Sequence, residues 1–232
     1  MKIQLLTETT NAESFLADDD FCVQEKLDGS RCLIVSDAHG VRAMSRQLRA
    51  LKVTAAILRA AAALPVDSVV DGELVGERFI AFDIQRLAGR DLCALPMIER
   101  FAMLDAMPFE RVRYAVGADA KRALLDAVRA ENGEGVVFKK LDAPYRDGRD
   151  VNAQKFKLWQ RESFVVRSVD IAKGTVGLLD RGRECGRCPF PFNSRWPRVG
   201  DLVAVRFARR TRDGKLLHPV WRGAVRDHQA FS

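Results

Sequence analysis

The pattern of apolar residues changes near residue 161, and no single regular architecture accommodates both sides of that change. Before it, strand-like and helix-like stretches alternate. Residues 21–26, 30–36 and 39–44 read as short strands, with Asp28-Gly29-Ser30 and His39-Gly40 supplying turns. Residues 51–64 carry Leu51, Ile57, Leu58, Ala61 and Leu64 near helical spacing until Pro65 stops them. Strands are expected at 67–75, 78–84, 135–140 and 153–159, a helix starting at Pro96, and another over 119–131 with Leu124, Leu125 and Val128 on one face. After residue 161 the runs 163–170, 174–179, 201–208 and 216–225 are β-rich, separated by Gly, Pro and Arg, and no helix is evident. The expectation is an α+β domain followed by a small all-β barrel.

Charge divides at the same place. Residues 1–161 hold 24 Lys+Arg against 24 Asp+Glu, while residues 162–232 hold 14 against 7, so the net charge of +7 lies entirely in the second part. A basic β-barrel suits the oligonucleotide-binding type and a polyanionic partner; a solvated basic surface is the plainer alternative. With 47% hydrophobic and 30% charged residues the chain reads as globular, and it has neither a membrane-length apolar run nor a secretory start, so a cytoplasmic protein without membrane contact is expected. Five cysteines in such a chain are expected to be reduced thiols; Cys185 and Cys188 form one C-x-x-C, but a zinc site needs two further ligands that no second such pair supplies.

The residues with most chemical content begin at Lys26-Leu27-Asp28-Gly29-Ser30-Arg31, a lysine at a strand end ahead of a tight turn. An amine attacks phosphorus only when unprotonated, so a rigidly supported lysine in a pocket is a candidate nucleophile. A hairpin bearing a surface lysine explains the same six residues. Downstream, Asp71-Gly72-Glu73 offers a carboxylate for a ribose hydroxyl or a metal, and Phe82 in Ala81-Phe82-Asp83-Ile84 an aromatic face for a purine. Glu134 opens Glu134-Gly135-Val136-Val137-Phe138-Lys139-Lys140 with an oxygen ligand for a hard cation, and Lys155 and Lys157 alternate so that both amines share one strand face. Singly, each has a plain structural reading as core, strand-end solvation or solvated face.

In this order, with Ser45-Arg46 between the first two, the segments resemble the nucleotidyltransferase motifs of ATP-dependent DNA ligases, a superfamily shared with RNA ligases and mRNA capping enzymes. The segment Leu217-His218-Pro219-Val220-Trp221-Arg222-Gly223 through Arg226-Asp227-His228 is similar to the last ligase motif, with His228 where lysine is common. The resemblance implies an adenylation domain over residues 1–161 and an oligonucleotide-binding (OB) domain over 162–232. It implies that Lys26 takes AMP from ATP, that Gln24 faces the adenine edge, Phe82 stacks on the ring and Glu73 meets the ribose. Arg31 and Arg46 would touch the nucleotide or a DNA 5′-phosphate, Lys155 and Lys157 the α-phosphate, and Glu134 a Mg²⁺ or Mn²⁺ ion. Arg222, Arg226 and Asp227 would orient pyrophosphate.

The expected partner is nicked duplex DNA, and the expected state a monomer. Because Lys26 lies close to the start of the sequence, the two core domains alone are expected to hold the duplex. Arg181, Arg183 and Arg187 crowd one Gly-rich stretch, and Arg206, Arg209, Arg210, Arg212 and Lys215 another; Arg181, Arg183, Arg187, Arg209 and Arg210 are the expected duplex contacts. The alternatives are an RNA ligase, a capping guanylyltransferase, or a silent nucleic-acid-binding protein of the same fold.

Overall fold

Short β-rich segments bounded by turn residues build most of this chain, as a computed structural model describes for residues 1–192 and 194–225. It divides into two compact units, Met1–Lys157 and Leu158–Ser232. In chain order the first contains β1 (Gln4–Glu8), α1 (Ala12–Ala17), β2 (Phe21–Lys26), β3 (Ser30–Asp37), β4 (Gly40–Ser45), β5 (Ala50–Leu51), α2 (Ala55–Ala61), β6 (Ser68–Val75) and β7 (Arg78–Leu87). It continues with β8 (Arg90–Asp91), α3 (Met97–Met103), a 3₁₀ turn (Leu104–Ala106), β9 (Glu110–Arg111), β10 (Tyr114–Ala115), α4 (Ala118–Ala130), β11 (Gly135–Lys140) and β12 (Gly148–Lys157).

These strands form two sheets, β1-β12-β11-β2-β10 and β5-β4-β3-β6-β7-β8, with β9 running parallel beside β7. One apolar cluster joins them, drawing Cys22 from the first sheet, Ile34, Val70, Ala81 and Ile84 from the second, and Phe101 from α3. Consecutive β2 and β3 lie in different sheets. Lys26-Leu27-Asp28-Gly29 is therefore a crossing between sheets and not a hairpin, which removes the plain reading of that segment. Glycine is needed at the crossing because a Cβ on Gly29 would stand 2.1 Å from the Leu74 carbonyl oxygen.

The stretch expected as one helix over 51–64 is divided: Leu51 ends β5, and Thr54 caps the shorter α2 by accepting from the Ile57 amide. α4 matches the apolar face read for it through Leu125 and Val128, yet it also buries Lys121. That ammonium donates to the carbonyls of Phe15 (3.0 Å), Asp18 (2.6 Å) and Phe21 (3.1 Å), joining α4 to the end of α1 and the start of β2. A cation at a helix C-terminus also suits the helix dipole.

The second unit contains β13 (Gln160–Asp170), β14 (Thr175–Asp180), β15 (Arg183–Pro189), β16 (Leu202–Phe207), β17 (Arg209–Arg210), β18 (Leu216–Leu217) and β19 (Val220–Ala224). Five strands form an antiparallel sheet in the order β15-β14-β13-β16-β19, and β17 pairs with β18. Its core holds Phe164, Val166, Val176, Leu178, Val203 and Phe207, with Phe190 stacked 4.3 Å from Trp196. Leu178 pairs with Gly186 and Leu179 with Glu184, so Cys185 is an extra, bulged residue. The bulge turns Cys185 and Cys188 to the same interior, where burial pushes the Cys188 thiol up to about 12. Among the described residues no group of three or more His, Cys, Asp or Glu is placed to hold a metal.

Lys121 yields a stability test. Lys121→Met keeps the aliphatic length but leaves three carbonyls without their ammonium, and the expected cost is about 2 kcal/mol. Urea unfolding followed by circular dichroism should show a lower midpoint; an unchanged midpoint would mean that the three bonds contribute no net stability.

Candidate active site

Strand register gathers the reactive side chains. Gly135 on β11 sits opposite Lys26 on one neighbour and Lys157 on the other, and two residues along Val137 sits opposite Gln24 and Lys155. Side chains two apart share a strand face, so Gln24, Lys26, Lys155 and Lys157 all line one cleft of about 640 Å³. Gly135 is small by necessity, since a Cβ there would stand 2.1 Å from the Phe156 carbonyl oxygen. Immediately before it, Glu134 receives both central amines: Lys26 Nζ lies 2.5 Å from Oε2 and Lys157 Nζ 3.0 Å from Oε1. The Glu134 side chain is only 11% exposed, so these pairs are shielded from solvent. Lys155 instead meets Glu8 at 3.5 Å, a partner on β1 that the sequence pattern did not single out.

The second sheet supplies the opposite wall with Arg31, Arg46, Glu73 and Phe82. Phe82 reaches the cleft because the strands slip there: Asp71 pairs with Asp83 and Gly72 with Ala81, leaving Phe82 as the extra residue of a bulge. Gly72 permits the arrangement, as a Cβ would meet the Phe79 ring at 2.6 Å. Arg46 is exposed on the turn after β4.

Arg31 is more constrained than its place in the motif suggests. Its Nε donates to Asp71 Oδ1 (3.0 Å), its Nη2 to Asp71 Oδ2 (2.5 Å) and to the Tyr145 hydroxyl (2.7 Å), and its Nη1 to the Gln4 carbonyl. A guanidinium has five N–H donors, so one remains for a ligand. Tyr145 in turn donates to Asp71 Oδ2 at 2.6 Å. Neither Tyr145 nor Asp71 was a site candidate from sequence; the position of Asp71 one residue before Gly72-Glu73 was the only signal. Seven side chains lining the cleft are cationic and two acidic, an environment for a polyphosphate more than for a neutral ligand.

In the second unit Arg181 and Gly182, at φ 47° and 80°, form the turn between β14 and β15. Arg181 and Arg183 are exposed, whereas Arg187 donates to Thr175 and faces Asp170, and Arg210 is held by Glu162 at 2.5 Å and Asp180 at 3.0 Å. Arg209 lies in β17, and Arg222 is exposed on β19. Arg226, Asp227 and His228 lie outside the described residues.

The sequence pattern of the RNA ligase family matches residues 19–157, more than half of the chain and all of the cleft except its β1 edge. The chain belongs to the RNA ligase family. It is 36% identical over 163 residues to a probable DNA ligase of Anaeromyxobacter sp. (strain K), an alignment covering 53% of this chain and 31% of that protein. The chain spans about a third of the length of the curated DNA ligases it matches. A solved Lig E DNA ligase superposes with a TM-score of 0.71 at 20% identity, covering 97% of this chain and 99% of the other. A mycobacterial DNA ligase D complexed with ATP does so with a TM-score of 0.60 at 22% identity, covering 98% and 95%. At these identities the two structures establish a shared fold, and among the described residues no helix is long and apolar enough to cross a membrane.

Glu73 gives the site a pH signature. Burial raises its carboxyl to about 7, although Lys26 and Arg31 pull it down; Asp71 and Glu134 add to the rise. The folded protein therefore holds a proton that the unfolded chain, with its carboxyl at 4.5, has released, and Glu73 erodes stability as pH rises from 4.5 through 7. Glu73→Gln in the ligand-free protein should raise the melting temperature at pH 8 and leave it nearly unchanged at pH 4.5. An equal effect at both pH values would rule out this titration.

Proposed function

We propose that the protein is an ATP-dependent DNA ligase that seals nicks in duplex DNA through a lysyl-AMP intermediate. The observation that carries the reading is one glutamate shared by Lys26 and Lys157 in a cationic cleft faced by a bulged phenylalanine. The names of the relatives and the ATP held by the mycobacterial ligase support the choice of reaction and donor.

Lys26 is the nucleophile. Its neutral amine forms a bond to the α-phosphorus of ATP while the bond to the bridging oxygen breaks; pyrophosphate leaves with that electron pair, and the nitrogen gives up a proton. Lys155 and Lys157 oppose charge on the α-phosphate, Gln24 meets the adenine edge, Phe82 stacks on the ring, and Glu73 takes the ribose. Arg46 is free to turn toward phosphate, while Arg31 offers one N–H and chiefly braces the wall. AMP then passes to the 5′-phosphate of a nick, and the adjacent 3′-hydroxyl displaces it.

A divalent cation, Mg²⁺ or Mn²⁺, fits the residues present in a limited sense. Glu134 offers a hard carboxylate, and a cation of this kind takes one or two carboxylates with its remaining ligands from water and phosphate. When bound, it supplies charge neutralisation on the phosphates. Glu134 would hold it, and the two lysines would exchange that carboxylate for phosphate oxygens.

The units Met1–Lys157 and Leu158–Ser232 are read as the adenylation domain and an OB domain expected over 1–161 and 162–232, the boundary falling a few residues earlier because β13 already begins at Gln160. For the second, a five-stranded antiparallel sheet whose edge strands β15 and β19 approach each other supports the reading. The exposed Arg181 and Arg183 are assigned to duplex phosphates with Arg187, Arg209 and Arg210, and Arg222, Arg226 and Asp227 to pyrophosphate. The protein is read as a monomer acting in the cytoplasm. A second reading, joining RNA strands, is favoured by the description of the matching family.

Incubated with ATP and a divalent cation, the protein should gain the mass of one AMP at Lys26, and Lys26→Ala should gain none. It should then seal a nicked DNA duplex at least about tenfold faster than the same nick with RNA strands, an allowance of about 1.4 kcal/mol. Faster sealing of RNA would select the second reading, an adduct only with GTP the capping alternative, and an adduct on another lysine would overturn the assignment.

Duplex contacts should also declare themselves through salt. Each phosphate contact contributes a slope of about −0.9 to log affinity against log salt. Arg181→Ala/Arg183→Ala should flatten the slope for nicked DNA by about one to two units, while Arg210→Ala, already paired within the chain, should change it less. Adduct formation should persist in all three proteins. Parallel lines of equal intercept would show that Arg181 and Arg183 do not touch the duplex.

A further inference from the structure

Beneath Phe82 lies a buried charged group that the roles above leave unused. Asp83 is 1% exposed and accepts from Arg100 Nε at 2.8 Å and Nη2 at 3.1 Å, a bidentate pair that satisfies it electrically. Burial pushes the Asp83 carboxyl up, but Lys139 and Arg100 outweigh it and hold the group below the ordinary range. Lys139, 5% exposed on β11, is thus a second cation beside one anion. An excess buried ammonium is costly unless other groups compensate it.

The compensating groups belong to Phe82. Lys139 Nζ lies 3.3 Å from the Phe82 carbonyl oxygen and 5.1 Å from the centroid of its ring, besides 3.3 Å from Asp83 Oδ2. Phe82 is the bulged residue of β7, left out of the strand register, and its carbonyl instead takes side-chain donors, the Lys139 ammonium and Gln24 Nε2 at 3.4 Å. A bulge frees a side chain to point in a new direction and leaves that direction to be fixed by something else. A cation against an aromatic ring also withdraws electron density from it, and the attraction is larger where water is excluded.

We propose that Lys139 is a positioning residue for nucleotide binding: its ammonium anchors the bulged Phe82 carbonyl and polarises the ring, so that the ring is held and tuned to stack on an electron-rich purine. The inference rests on the proposed role of Phe82 and goes beyond it by assigning affinity for the base to a nearly buried charge at the cleft wall that acts through the Phe82 ring. Lys139 acts on binding, not on the bond-forming step at Lys26.

The test measures Lys26 adduct formation against ATP concentration in the full chain. Lys139→Met removes charge and donors while Arg100 keeps Asp83 paired; Lys139→Gln keeps an N–H donor without charge. Both should raise the KM for ATP, by about five- to thirtyfold for Met, the range for losing a shielded cation–π contact, with kcat within about twofold. In a Phe82→Leu background, Lys139→Met should have little further effect on KM. Additive effects of the two changes, a loss confined to kcat, or unfolding of both Lys139 variants by circular dichroism would overturn the assignment. Absence of an adduct in the unsubstituted protein would instead reject the nucleotidyl-transfer reading itself.

Discussion

Glu134 stands at the centre of the candidate site because it pairs with both Lys26 and Lys157. A carboxylate between two ammonium groups in a shielded place keeps two like charges close together when they would otherwise repel. The rest of the first sheet can be understood as what makes this possible. β11 lies between β2 and β12, Gly135 leaves room for the backbone of β12 at Phe156 and Lys157, and the carboxylate enters from the residue just before the strand. A ligand phosphate carries the same charge as Glu134, so it can take over the two amines without changing the local balance.

The cleft needs both sheets, and the second is prepared by different means. There the walls are set by a bulge at Phe82, by an Arg31 guanidinium with four of its five N–H groups engaged, and by buried charge behind both. Rigid support of this kind suits chemistry that depends on positioning and on charge neutralisation more than on acid–base catalysis. The second unit contributes differently again: its arginines differ in availability, with Arg187 and Arg210 paired within the chain and Arg181 exposed on a hairpin turn.

Much of the local structure was legible because it depends on spacing. Lys155 and Lys157 share a face by strand alternation, and Pro96 and Asn132-Gly133 mark helix ends. What was not legible depends on tertiary contacts. Helical spacing over 51–64 included Leu51, which pairs with Ala43 in a sheet; β1 and β15 carry too little apolar alternation to stand out, and β15 also contains a bulge. Tyr145 and Lys139 were missed for another reason. Their importance comes from partners 74 and 56 residues away in sequence, which no local pattern reveals.

If Glu134 and Lys157 act as one unit on Lys26, their removal should not be additive. The decisive measurement is the single-turnover rate of Lys26 adduct formation in Glu134→Ala, Lys157→Ala and the double variant, each checked for folding by circular dichroism. The double variant should be scarcely slower than the slower single variant, as for residues that function together. Two independent losses that multiply in the double variant would contradict the shared-carboxylate account.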